Sequence, residues 1–352
     1  MNFGEIAMTH RIQASLTVGI SLALMKQAPA QEASRPPVPV TIDNYNRAQT
    51  DVYFGLIARA GGFGKFMHAR ELAPIDQRGI IRPNRDTLYS IAVFDLDAGA
   101  VTITLADPGR RFMAIQVINE DQYTQAVYYG AGTHTLTRET MGTRYGAVIV
   151  RALVDPANKE DLQQIHSLQD ALRVSQRASG TFEVPNWDEM SRKKVQTALL
   201  QLGTTITDTY RMYGANEKLV DPVKHVIGSA MLWGGNPARD ALYLPITPAQ
   251  NDGRTVYKLS VGNVPVDGFW SLTVYNSDGY FQRNEYDSYS VNSTTARKNI
   301  DGSVTIQFGD CNGNIPNCLP IANGWNYTVR LFLPRPEILQ GAWQFPLARP
   351  EN

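Results

Sequence analysis

The chain has 352 residues with 33 Lys and Arg against 33 Asp and Glu, which gives a formal net charge of zero and a pI near 7.0. That balance excludes the basic footprint of a general nucleic-acid binder and the Lys/Arg clusters that recruit a chain to anionic lipid. A hydrophobic content of 43% excludes disorder for most of the chain, and two Cys are too few for a disulfide scaffold or a four-thiolate zinc site.

The first element in chain order is an address. Ile12–Met25 is an uncharged apolar run preceded by His10-Arg11 and followed by Ala28-Pro29-Ala30. A short basic segment, an apolar run and an A-x-A site are the grammar of a secretory signal peptide. The run is too short to span a bilayer, which takes about 20 residues. A signal peptide is therefore expected at 1–30, from Met1 or from Met8, followed by a Pro-rich linker at 31–40, with the mature protein periplasmic or secreted and without a membrane span. In an oxidising compartment Cys311 and Cys318 can close the Asn/Gly/Pro-rich loop between them, worth about 2.5 kcal/mol by chain entropy. A structural disulfide is favoured over a catalytic thiol.

A helix is expected over Thr41–Ala60, where Tyr45, Ala48, Val52, Leu56 and Ala60 recur at three- and four-residue steps before Gly61-Gly62. Strands follow at Leu88–Leu96, Val101–Leu105, Phe112–Ile118 and Tyr145–Leu153, with a turn at Asp107-Pro108-Gly109. From Lys159 the period becomes helical, with one helix around Leu162–Leu172 and another over Val195–Tyr213. Strands return at Val256–Val261, Phe269–Tyr275, Val304–Phe308 and Trp325–Leu333, closed by Pro334. The pattern predicts a mainly β fold with helices (α+β): two β-sandwich or jelly-roll-like domains with a helical segment between them. The boundaries are 41–155 for an N-terminal helix plus β domain, 156–240 for the helical connection and 241–352 for a C-terminal β domain. Asp86–Asp97 also aligns without gaps on Asp267–Asp278, sharing Asp86/Asp267, Ser90/Ser271, Val93/Val274 and Asp97/Asp278. Duplication of a β domain and shared strand-then-turn grammar both account for that echo.

Nucleotide, serine-hydrolase and zinc-protease motifs are all missing, and the four mature-chain His stand alone in sequence. No metal and no cofactor is expected. Gly61-Gly62-Phe63-Gly64-Lys65 lacks P-loop spacing and reads as a helix cap and turn. The polar segment Arg82-Pro83-Asn84-Arg85-Asp86-Thr87-Leu88-Tyr89 stands at the mouth of a buried strand. Asp86 and Tyr89 could serve as acid and base with Arg85 as an anion clamp, and Asn84 as a binding group; equally, Asn84 and Asp86 could simply cap the turn. Arg111, Gln116 and Asp121 bracket another strand. Arg330 interrupts an apolar run and needs a partner such as Asp86 or Asp267, because an isolated buried guanidinium is very costly. Trp233, Trp270 and Tyr275 could wall a sugar site or fill a sandwich core.

The strings RPNRDTLYS, VFDLDAG and RRFMAIQVINEDQY resemble domain of unknown function 1254, and VPVDGFWSLTVYNSDGYF through NGWNYTVRLFLPRPEILQGAW resembles its companion, domain of unknown function 1214. The resemblance implies an exported bacterial protein with two β-rich domains and intervening helices, and it implies no particular activity. Where relatives carry Trp in an N-W-L-P string this chain has Cys318.

The residues suggest a metal-independent hydrolase or lyase acting on a small polar or carbohydrate-like substrate in an interdomain cleft. The alternative is a non-catalytic periplasmic or secreted module that binds a carbohydrate or other small molecule. Either leaves homo-oligomer formation open.

Overall fold

The computed structural model describes residues 36–351. The signal peptide expected at 1–30, and the first half of the linker expected at 31–40, lie outside them. Among the described residues, 16 strands form four open sheets accompanied by six helices. Pro37–Asn352 is one compact unit, within which the N-terminal, connecting and C-terminal segments follow one another.

The N-terminal segment opens with α1 (Tyr45–Arg59), which ends where Gly61 adopts φ +90. It continues through β1 (Met67–His68), β2 (Thr87–Asp95), β3 (Val101–Leu105), β4 (Met113–Asn119), β5 (Thr124–Tyr129), β6 (Gly132–Leu136), α2 (Arg138–Met141) and β7 (Tyr145–Leu153). A five-stranded sheet runs in the order β1-β2-β7-β4-β5. One face packs against a three-stranded sheet through Leu88, Ala92, Phe94, Ile115, Val117, Val148 and Val150. The other meets α1 through Val93, Tyr145 and Ala147 against Phe54 and Ile57. Cover on both faces explains why these strands read as almost unbroken apolar runs.

The connecting segment holds α3 (Lys159–Asp170), β8 (Arg173–Gln176), α4 (Glu189–Gly203) and α5 (Pro222–Met231). Two corrections arise here. β8 pairs with β3 and completes the three-stranded sheet β6-β3-β8, so the segment is not purely helical. The helix expected over 195–213 starts earlier and stops at Gly203. Its start is fixed by Asp188, whose side chain accepts from the Ser191 amide, and its end by Thr204 and Thr205, whose hydroxyls bond back to Gln201 and Leu202 carbonyls at 2.7 Å. α5 was not expected; Asp221 caps it and Pro222 occupies its first turn.

The C-terminal segment comprises β9 (Ala241–Ile246), β10 (Tyr257–Val261), β11 (Trp270–Tyr275), β12 (Ser290–Asn292), β13 (Val304–Phe308), β14 (Cys318–Leu319), β15 (Asn326–Phe332), α6 (Pro336–Leu339) and β16 (Arg349–Pro350). Two four-stranded sheets, β14-β13-β10-β16 and β12-β11-β15-β9, enclose a core built on Leu259, Ile306, Phe308, Leu272, Trp325, Tyr327, Val329 and Leu331. A disulfide joins Cys311 and Cys318 at the start of β14.

The second of these sheets positions the site. Alternation sends Trp270, Leu272, Val274, Val329 and Leu331 into the apolar core. The opposite face carries Ser271, Thr273, Tyr275, Thr328 and Arg330, and every residue of β11 and β15 is buried. A polar sheet face kept from water must meet matching polar groups. Those groups come from the N-terminal segment.

Candidate functional site

Arg330 is 3% exposed on β15 and Asp86, just before β2, is 1% exposed. The Arg330 guanidinium donates to Thr273 Oγ1 at 2.9 Å, to the Tyr275 hydroxyl at 2.6 Å and to the Arg82 carbonyl at 3.0 Å. Tyr275 in turn donates to the Pro83 carbonyl at 2.8 Å. Asn292 on β12 uses its carbonyl for the Thr294 and Thr295 amides, which leaves Nδ2 to donate to Asp86 Oδ1 at 3.0 Å. Burial pushes the Asp86 carboxyl above its usual range, against the pull of Arg330, Ser271 and Asn292. Burial works to lower the Arg330 pKa, yet Tyr275, Asp86 and Tyr89 outweigh it and raise it. Asp86 Oδ2, Ser271 Oγ, Thr328 Oγ1 and Arg82 Nε have no well-formed hydrogen bond, although the Ser271 hydroxyl faces the carboxylate closely enough to stabilise its charge.

The polar segment Arg82–Tyr89 is thus the docking edge of the N-terminal sheet on the C-terminal one. Asn84 accepts from the Asp86 amide at 2.7 Å and donates to Thr87 and the Tyr89 hydroxyl, the capping role that its sequence position allowed. Arg85 turns away from Asp86: it donates to the Ala73 carbonyl and lies 5.5 Å from the Tyr289 ring centre. Asp267, the other partner considered for Arg330, pairs with Arg335 at the surface at 2.6 Å. The two strands of the sequence echo therefore place their leading Asp residues in opposite environments.

The remaining candidates disperse. Arg111 pairs with Asp161 and donates to the Leu153 carbonyl at 2.7 Å. Asp121 holds Arg47 through two 2.8 Å bonds. Gln116 is fully buried and accepts from Arg151 at 2.6 Å while donating to the Gly235 carbonyl at 2.7 Å. Trp233 stacks on Tyr53 with ring centres 4.4 Å apart and donates to Thr50. Trp270 and Tyr275 are core residues, 6% and 1% exposed, so they do not wall an open sugar site. No group of three metal-ligating side chains occurs among the described residues.

Two features escaped sequence reasoning. One is a buried acid cluster: Asp51 on α1 accepts from Trp187 Nε1 at 2.8 Å, while Glu120 after β4 accepts from the Tyr145 amide at 2.9 Å. Burial, aided by the neighbouring Glu120 charge, raises the Asp51 pKa to about 7 against the opposing pull of Trp187 and Arg47. Its signal was faint: a carboxylate three residues after the buried Ala48, on the inward side of α1.

The other is a cleft of about 1290 Å³ along β9, the edge strand of its sheet. Leu242, Leu244, Pro245 and Ile246 of β9 line it with Leu200, Ile206 and Met231 and with Ile338, Trp343, Phe345 and Leu347, and polar residues such as Gln196, Thr204, Thr207, Thr247 and Gln344 stand among them. Ile81 and Arg82 reach it from the N-terminal segment beside Ser277, Asp278 and Tyr280. Neither Asp86 nor Tyr89 lines it. Its residues come from seven separated stretches of chain, none with a motif, which is why the sequence did not announce it.

Residues 63–142 match the family model described as a protein of unknown function (DUF1254), and residues 247–336 match the model described as a protein of unknown function (DUF1214). No curated protein matches the chain. Among solved structures it is similar to the VPA0106 protein from Vibrio parahaemolyticus, with a TM-score of 0.64 at 15% identity over 88% of this chain and 98% of that one. It is also similar to an uncharacterized protein from Burkholderia cenocepacia, with a TM-score of 0.52 at 13% identity over 91% of each chain. At these identities the likeness is one of fold. The chain carries both modules, DUF1254 ahead of DUF1214, and the polar network described above joins the N-terminal segment to the C-terminal one.

Two predictions follow from the buried charges. Arg330→Met leaves Asp86 uncompensated and is expected to destabilise by about 3–5 kcal/mol, with Asp86→Asn in the same chain recovering part of the loss. Urea unfolding of both single variants and the double variant checks this, and purely additive losses would show that the pair does not interact. Asp51 has a folded-state pKa of about 7 against an ordinary 3.8, so its contribution is fully present at low pH and is lost as pH rises through about 7. The stability of the natural chain relative to Asp51→Asn should therefore fall between about pH 4 and 7, the span between the two pKa values, and level off above it; a pH-independent difference would contradict it.

Proposed function

We propose that this DUF1254–DUF1214 protein binds a small, largely apolar molecule in the cleft along β9. The observation that carries the reading is the cleft itself: about 1290 Å³, lined by Leu, Ile, Met, Trp and Phe side chains together with nearly as many polar ones, Arg82, Thr204, Thr207, Thr247 and Gln344 among them. Binding sites are typically concave, mostly apolar and supplied with a small number of orienting polar residues. The Leu242, Leu244 and Ile246 side chains along β9 offer no partner to a hydroxyl, so this part of the cleft suits a hydrocarbon or ring system, while the polar side chains elsewhere in the lining can orient it.

Binding is preferred here to hydrolysis or elimination. The acid and base suggested by the sequence, Asp86 and Tyr89, lie outside the cleft, and the packing of Asp86 against Asn292 and Arg330 accounts for its burial. Export supports the same reading, because apolar ligands met outside the cytoplasm need a carrier or receptor there. It rests on the apolar run at Ile12–Met25 and the Ala28-Pro29-Ala30 site. A chain recovered from periplasm with Gln31 at its N-terminus would agree with this; an unprocessed chain held in the cytoplasm would not.

The cleft is tested with N-phenyl-1-naphthylamine, a neutral probe whose fluorescence rises in apolar surroundings. Saturable binding is expected, and Leu244→Gln should weaken it roughly tenfold, the cost of replacing one apolar contact of that size. A folded protein that leaves the probe unbound, or binding indifferent to Leu244→Gln, would remove the proposal. Conversion of a bound ligand into product would return the protein to the enzymes.

A further inference from the structure

We propose that Arg82 is the anion anchor of the cleft, and that the ligand is an amphipathic monocarboxylate whose acid group meets Arg82 while its apolar body lies along β9. This inference rests on the cleft reading above and names the class of ligand.

The argument begins with charge. Two guanidinium groups, Arg82 and Arg330, stand close enough to repel each other, and Asp86 is the carboxylate acting on Arg330. Arg330 is satisfied by Thr273, Tyr275 and a main-chain carbonyl. Arg82 is not: its side chain makes no hydrogen bond and no ion pair among the described residues, and its buried Nε is without a partner. A guanidinium keeps its charge at any working pH, so the cation persists although burial works against it. Of the acidic residues along the cleft, Asp208 is held by Lys224 at 3.2 Å, and Asp278 does not pair with Arg82. The Arg82 charge is therefore left unpaired in the lining of the cleft, with Asp278, which no ion pair holds among the described residues, also in that lining.

The backbone holds that charge in place. Arg82 has φ +52, in the left-handed region that a long side chain seldom occupies. Its amide donates to the Gly279 carbonyl at 2.9 Å and its own carbonyl accepts from Arg330. Gly279, at φ +80, admits this approach because a Cβ there would stand 2.9 Å from Ile81 Cγ2. The conformation is fixed from both sides by the module interface. Arg presents a planar fork of donors that matches a carboxylate with two parallel bonds, whereas a neutral headgroup would leave the charge uncompensated. The single cation favours a monoanion.

The experiment displaces N-phenyl-1-naphthylamine with dodecanoate and with 1-dodecanol, which share a chain and differ in the headgroup. Dodecanoate should bind about tenfold or more tightly than the alcohol, with a preference that shrinks as salt is added. Arg82→Met should abolish the preference and leave dodecanol affinity nearly unchanged, and Arg82→Lys should restore part of it. Equal affinities for the two ligands in the natural chain would overturn the anchor while leaving the cleft reading intact. Failure of the neutral probe and of dodecanol to bind would instead remove the cleft reading. Should Arg82→Met not fold, the headgroup preference of the natural chain and its salt dependence decide the matter.

Discussion

A guanidinium with no access to water must find its hydrogen bonds and its counter-charge inside the protein, and Arg330 finds them across a boundary between two sheets. From β15 it reaches Thr273 and Tyr275 on the neighbouring strand, the carbonyl of Arg82 in the other module, and the field of Asp86. Removing any of these leaves a buried polar group exposed to the full cost of its desolvation. The polar segment ahead of β2 and the polar face of the β11–β15 sheet are therefore each incomplete alone. This gives a physical reason for a DUF1254 module to stand beside a DUF1214 module in one chain.

That junction also shapes the cleft. Because Arg330 and Gly279 together grip the main chain at Arg82, the N-terminal module delivers a cation to a cavity whose other lining residues belong to the helical and C-terminal segments, Ile81 apart. Docking of the modules and the binding proposed for the cleft are in this sense one arrangement. Asp86, the natural suspect for acid–base catalysis, serves the junction together with Arg330, while the neighbouring Arg82 is left unmatched at its rim.

Much of the fold was legible. Val101–Leu105, Tyr145–Leu153 and Val304–Phe308 are strands over the residues that the alternation and flanking turns indicated. Strand limits are legible because turn residues such as Asp107-Pro108-Gly109 interrupt the apolar pattern sharply. Helix limits were less so: α4 ends early because Thr204 and Thr205 bond their hydroxyls to its last turn, and β8 is a strand because β3 offers it an edge. The need of Arg330 for a carboxylate was also readable, since a charged residue in an apolar run demands compensation. The choice between Asp86 and Asp267 was not, because it depends on which of them the second sheet buries.

The sequence by itself determined the two β-rich modules, the intervening helices, the bond between Cys311 and Cys318, and the existence of a buried cation in search of a partner. These follow from local periodicity, spacing and the cost of burying charge, all properties of neighbouring residues. Only the tertiary structure decided that the polar segment at 82–89 is a docking edge, that Trp270 and Tyr275 are core, and that a cleft of mixed apolar and polar lining opens along β9 with Arg82 among its residues. A cavity is the space left among side chains from distant stretches of chain, and whether a charge is matched depends on distances across that space. Neither is written in any short run of residues.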